Sequence, residues 1–290
     1  MASSEDSALR AFGISDPASK GLLPLVDIGA NLTKGSKPKA AQQAARAALS
    51  GTTGILVTGC DVAGSAAAAR LAKWHFVTQH DQPDPSARLY HTAGVHPHDA
   101  KKIASAELGV DNRALATLES LASLALCVAV GEAGLDYDRM FSPRAVQLAA
   151  FDAQCALAAR LGKPLFAHVR EADAGKPPLG AYADALEVLG RYAARGLPAD
   201  RVVVHCFTAG AEELAALSAA GLHVGFTGCV KNRRRLSMSR RSISEVAWRR
   251  DPSIHPAQLR RDRQARDRHC RGAPSARPRA SPLSPAAPRD

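Results

Sequence analysis

The chain has 290 residues, 46% hydrophobic and 22% charged, with a formal net charge of +11. That is enough apolar material for a sizeable core and too much for a chain disordered throughout. No run of 18 apolar residues occurs, so no membrane-spanning helix is expected, and Met1 to Arg10 lacks the apolar stretch of a secretory leader. From there the sequence alternates short apolar runs with longer Ala/Leu-rich segments. The runs begin at Leu25, Gly54, Tyr90, Cys127, Pro164, Val202 and His223. Each is continuous rather than alternating, as strands buried on both faces of a parallel sheet require. The intervening segments, Ala40 to Leu49, Ser65 to Trp74, Arg113 to Leu124, Pro143 to Leu161, Tyr182 to Arg195 and Ala211 to Ala220, are rich in helix-forming residues. Gly51, Gly162 and Gly221 follow three of them where a helix C-cap belongs.

This is a β/α repeat with seven recognisable strands. Its natural closure is a TIM-like (β/α) barrel whose eighth strand is missing from the pattern, with a doubly wound sheet as the alternative. Either architecture places functional residues at the carboxyl ends of the strands.

The charge is unevenly distributed. From Lys231 to Asp290 there are 17 Lys and Arg against 5 Asp and Glu, whereas Met1 to Val230 carries 21 against 22. The sequence thus divides into an N-terminal extension (1–21), a barrel (22–235) and an Arg/Pro/Ser-rich tail (236–290). The tail is too polar to bury a core and reads as disordered or as an aberrant C-terminus, with a phosphate-holding basic arm as the alternative. Six cysteines occur without a CxxC pair or zinc-ribbon spacing. They read as reduced thiols of an intracellular protein, Cys60, Cys127, Cys206 and Cys229 lying in or beside apolar runs.

The strand ends share one chemistry. Asp27 and Asn31 lie at the first, His96 and His98 after the third, Glu132 on the fourth, His168 on the fifth and His205 on the sixth. Glu132, His168 and His205 come from consecutive strands and would converge at a barrel mouth. One carboxylate with two imidazoles is a ligand set for a divalent metal, which polarises phosphoryl or carbonyl oxygens and lowers the pKa of water. Asp27 is a further ligand or an orienter. His96 and His98 are candidates for substrate phosphate or proton transfer, with a capping role open for His98 and Asp99. Arg139 and Arg170 either approach an anionic substrate or lie solvated on the surface. His75, His80, His91, His223, His255 and His269 have no such setting.

At these residues the sequence resembles the TatD family of metal-dependent deoxyribonucleases, among the amidohydrolase-like barrels. The stretches that carry the resemblance are DIGANLT (Asp27 to Thr33), TAGVHPHDA (Thr92 to Ala100), VGEAGLDYDR (Val130 to Arg139), KPLFAHVREA (Lys163 to Ala172), VHCFTAG (Val204 to Gly210) and GFTGCV (Gly225 to Val230). They span about residues 22 to 235. The resemblance implies hydrolysis of DNA phosphodiesters from the 3′ end by metal-activated water. It implies Glu132, His168 and His205 as metal ligands, with Glu132 and His205 catalytic and His96 a further candidate. The metal implied is Mg²⁺, with Mn²⁺ or Zn²⁺ as alternatives. DNA is the implied substrate, no membrane or stable protein partner is implied, and the location is cytoplasmic, with the nucleus as alternative. The first motif has Asp27 and Asn31 where many relatives have two histidines. The family's eighth-strand motif, with an Asp ligand, has no counterpart: residues 231 to 290 contain no Thr, and no Asp there follows an apolar run. Two other readings therefore stand beside the nuclease: an impaired isoform lacking that ligand, and an amidohydrolase-like enzyme acting on a non-nucleic substrate.

Overall fold

All seven apolar runs are strands of one parallel sheet. In the computed structural model they are β1 (Leu25–Ala30), β2 (Thr52–Val57), β3 (Arg88–Ala93), β4 (Cys127–Asp136), β5 (Leu165–Arg170), β6 (Val202–His205) and β7 (His223–Val224), neighbours in space in chain order. The structure describes residues 25–49, 51–79, 86–172 and 177–227. The N-terminal extension, the 236–290 tail, Cys229, Cys270, His80, His255 and His269 lie outside the described residues.

Each crossover is helical: α1 (Lys37–Ala48), α2 (Val62–Gln79), α3 (Asn112–Ala122), α4 (Arg144–Leu161), α5 (Ala181–Tyr192) and α6 (Ala211–Ala219). Local chemistry sets their ends. Ser36 caps α1 by accepting from Lys39 N, with Pro38 in the first turn. Asp111 caps α3 by accepting from Arg113 N and Ala114 N. Gly162 ends α4 in the left-handed conformation, the C-cap role expected of it. Ala40 and Ala44, one turn apart, are buried and pack α1 onto a cluster with Ile55, Val57, Leu71 and Leu89.

The sheet curls into a partial barrel. A flat sheet would hold β1 roughly 24 Å from β6, five strand spacings away. Instead a Cβ placed on Gly29 of β1 would lie 3.2 Å from Phe166 of β5 and 3.9 Å from His205 of β6. Val26, Leu56, Tyr90, Val128, Phe166 and Val203 line one apolar cavity of about 220 Å³ in its interior. Among the described residues no strand pairs with the outer edge of β1 or β7, so no eighth strand is seen. Leu25 and Val26 of β1 are correspondingly exposed.

The repeat gave no signal for two small features after β3. One is a 3-10 turn, Pro97–Lys102, and the other a short antiparallel pair, Ala104–Ser105 with Gly109–Val110. Neither has enough apolar residues to show a period.

Candidate metal centre

Strand register brings the site together. His168 and His205 are direct partners across the β5–β6 ladder, so both rings project from the same face. Between β4 and β5 the register slips at Gly131/Ala133, leaving Glu132 outside the regular pairing. Such an irregularity re-aims a side chain. Glu132 N instead donates to Gly59 O at the exit of β2. Gly134, at φ +151, permits the close approach: a Cβ there would stand 1.8 Å from His168 O.

The Glu132 carboxylate is the hub. Its Oε1 accepts from His205 Nε2 at 2.6 Å and from His168 Nδ1 at 3.1 Å, and His96 Nε2 stands 3.5 Å away. Its Oε2 accepts a weaker bond from Cys60 Sγ at 3.7 Å. Burial alone would raise the Glu132 pKa. The hydrogen bonds from His168 and His205 outweigh it and hold the carboxyl far below its ordinary range. His205 is also fixed by Phe166, whose ring stacks on it at 4.3 Å.

A second carboxylate, Asp136 at the end of β4, backs the first. Its Oδ2 accepts from His98 Nε2 at 2.7 Å and its Oδ1 from Arg139 N at 2.8 Å. Burial opposes ionisation here too, but the neighbouring His168, Arg139 N and His98 keep it depressed. His168 is pulled both ways: burial lowers its pKa, while Asp136 and Glu132 together raise it. The His168 Nε2 is buried without a hydrogen-bond partner. Asp136 Oδ2 stands 3.5 Å from it, within reach of attraction between charges but outside good hydrogen-bond geometry. His96 is driven down to about 3, by burial first and by His168 second, and is therefore neutral. Its Nδ1 accepts from His98 N at 3.1 Å, which leaves the ring proton on the Nε2 that faces Glu132.

Two buried glutamines seat the loops that carry these rings. Gln154 accepts from Val95 N and donates to Val95 O, just before His96. Gln147, two turns earlier on the same face of α4, accepts from Asp136 N and donates to Asp136 O and Ser142 O.

The donor set fits a divalent cation. Donor atoms of His96, Glu132 and His168 all lie within 4.8 Å of one another, and one of the histidines has an orphaned ring nitrogen. His205 is bonded to the same Glu132 oxygen but falls outside that group. Asp27 also falls outside it. Its Oδ1 accepts from Gly29 N, and with His205 and Thr227 it lines a cavity of about 450 Å³ between β1 and the exits of β6 and β7. Arg170 and Arg139 both face Asp138, at 3.1 and 3.6 Å. His75, His91 and His223 bond to Ser86, Thr92 O and Asp200 O, away from the cluster. Among the described residues Cys60, Cys127, Cys155 and Cys206 form no disulfide. Sequence reading assigned no role to Asp136, Cys60 or the two glutamines. The GLDYD stretch held the only cue, a second carboxylate four residues past Glu132.

A curled parallel α/β sheet with a carboxylate and several imidazoles at the carboxyl ends of its strands is the layout of barrel metallohydrolases. The comparisons with known proteins narrow this class. The model of the TatD-related DNase family matches residues 26–250. The 3′–5′ ssDNA/RNA exonuclease TatD of Edwardsiella piscicida is 40% identical over 212 residues, 73% of this chain and 70% of that protein. The protein of the same name from Pantoea sp. is 40% identical over 216 residues, with the same coverage. Among solved structures, an uncharacterised amidohydrolase from Saccharomyces cerevisiae superposes with a TM-score of 0.54 at 26% identity, covering 71% of this chain and 68% of that one. A TatD homologue from Escherichia coli K12 superposes equally well, at 0.54 and 24% identity, with 73% and 71% covered, and supports the fold. The chain belongs to the TatD-related DNase family. Its match extends to residue 250, beyond the 235 at which the motif resemblance stops.

Proposed function

We propose that this protein is a metal-dependent nuclease that hydrolyses phosphodiester bonds of single-stranded DNA or RNA from the 3′ end. The observation that carries the reading is the Glu132 hub, whose one carboxylate oxygen gathers ring nitrogens of His205, His168 and His96 within 3.5 Å. The family membership and the relatives' printed activity support the substrate class. Glu132, His168 and His205 would hold the cation, with Asp27 as a further ligand or orienter across the neighbouring cavity. A bound divalent cation would polarise the phosphoryl oxygens and lower the pKa of the attacking water. The protons now shared between Glu132 and the imidazoles leave when a cation takes their place, so occupancy rises with pH. His96, neutral with its proton on Nε2, donates to a phosphate oxygen. Asp136 keeps His98 oriented at the rim. Mg²⁺ is the first occupant to test, with Mn²⁺ beside it because carboxylate donors suit both, and Zn²⁺ because imidazole donors suit it. Cysteines left out of disulfides among the described residues fit a reducing, cytoplasmic or nuclear location.

The test is digestion of a 5′-labelled single-stranded oligonucleotide. A ladder shortening from the 3′ end is expected, abolished by EDTA and reduced at least ~100-fold in His205→Ala. Undiminished hydrolysis in EDTA, or in that variant, refutes the reading. Hydrolysis of amide substrates but not of oligonucleotides would favour the amidohydrolase alternative. The impaired isoform is favoured by one observation, the unpaired outer edges of β1 and β7 among the described residues. It predicts weak metal uptake and no turnover until an Asp-bearing eighth strand is supplied.

A further inference from the structure

The loop that follows β4 turns two apolar side chains outward on the rim of the candidate centre. Met140 and Phe141 are 45% and 56% exposed. The loop that carries them is tightly held. Arg139 N donates to Asp136 Oδ1, Gln147 Nε2 to Ser142 O at 2.7 Å, and the buried Ser142 Oγ to His98 O at 3.0 Å. Met140 is kept at φ +50, a left-handed conformation rare for a residue with a side chain. The Phe141 ring meets His98 edge-on at 4.6 Å, and His98 in turn touches His96 at 4.3 Å. An exposed aromatic ring thus stands two imidazoles away from Glu132, in a loop that does not let it fold inward. Two exposed cations belong to the same rim: Arg139, two residues before Phe141 and 3.6 Å from Asp138, and Lys101, whose N is tied to the same Ser142.

A rigid, solvent-facing ring beside cations is the arrangement that receives a base of a single strand. The π-face stacks any base, and the cations meet the phosphates. We propose that Phe141, with Met140 beside it, stacks a base next to the scissile linkage and so selects an unpaired strand end. A base inside a duplex is stacked on both faces and could not offer one without unstacking. This rests on the nuclease reading but concerns binding, which can be measured without turnover.

The experiment uses the full chain and phosphorothioate-linked oligonucleotides that resist cleavage. One carries 2-aminopurine at its 3′ terminus, and a second carries an abasic 3′ terminus. Wild type should quench the 2-aminopurine and bind the intact end more tightly than the abasic one. Phe141→Ala should lose the quenching and weaken binding of the intact oligonucleotide about 5- to 100-fold, leaving the abasic one unchanged. Phe141→Trp should restore both signals. Equal binding of the two oligonucleotides by wild type overturns the proposal. So does an equal loss on both in Phe141→Ala, which would mean a collapsed loop. Stacking without hydrolysis would refute the nuclease reading alone. Hydrolysis indifferent to Phe141 would refute the stacking alone.

Discussion

Asp136 shows how a single side chain ties stability to the site. Its folded-state pKa lies below its unfolded value, held there against burial by His168, Arg139 N and His98. A depressed carboxyl contributes stability that is full above the unfolded pKa, about 3.9, and is lost as pH falls through the folded value. In the metal-free protein, Asp136→Asn should therefore be less stable than wild type at pH 7, by about 1.5–3 kcal/mol. The gap should narrow below about pH 4. Thermal denaturation in chelator from pH 7 to 2.5 checks this, and a gap that widens on acidification would reverse the sign. At this scale the sequence was informative where one residue type at one strand end suffices. Glu132, His168 and His205, read as converging from consecutive strands, share hydrogen bonds at one Glu132 oxygen, and His96, read for phosphate or proton transfer, stands 3.5 Å from that oxygen. Asp27 could not be read further, because its partner is a backbone N–H two residues on and its role depends on what occupies the cavity it lines. Arg139 and Arg170 turned out to share Asp138, a pairing that depends on loop shape and leaves no trace in spacing.

Among the elements, α4 does more than cover the sheet. Its two buried glutamines satisfy backbone groups of the loop after β3 and of the last residue of β4. Gln154→Ala would leave Val95 N and O without their partner in a buried setting, at a cost of about 2–3 kcal/mol. Urea denaturation should show that loss with an unchanged m-value. His96, carried one residue beyond, should then donate to a substrate phosphate less effectively, read as a raised KM for the oligonucleotide. Gly134→Ala is harsher, since its Cβ would overlap the His168 carbonyl. We expect a loss of more than about 4 kcal/mol, or no folded protein at all. Neither effect was legible in advance. The strands and helices were, because continuous apolar runs, Ala/Leu segments and Gly C-caps are local signals. The register slip that frees Glu132, and a glutamine reaching a backbone 59 residues away, are decided by three-dimensional packing. A buried Gln on a helix reads in one dimension like any surface Gln.

At the scale of the whole molecule, charge and architecture separate. Residues 1 to 230 are close to neutral, and the positive excess lies in 231 to 290, beyond the described residues. If the barrel engages nucleic acid through its metal centre and the two rim cations Arg139 and Lys101, its own salt slope should be shallow, about 1.4. Any steep dependence then belongs to the arginines of the last sixty residues, since each phosphate neutralised contributes about 0.7 to the slope of log K against log salt for single strands. Replacing Arg233, Arg234, Arg235, Arg240 and Arg241 by Gln in the full chain should lower that slope by up to about 3.5. Hydrolysis rates at saturating oligonucleotide should stay unchanged, because catalysis is assigned to residues of the sheet. Binding isotherms between 50 and 300 mM NaCl, paired with single-turnover rates, separate the two contributions. A slope unmoved by the five substitutions would place all the phosphate contacts on the barrel itself, with Arg139 and Lys101 joined by further cations of that rim. The near-neutral charge of residues 1 to 230 would then conceal a larger basic patch than those two residues make.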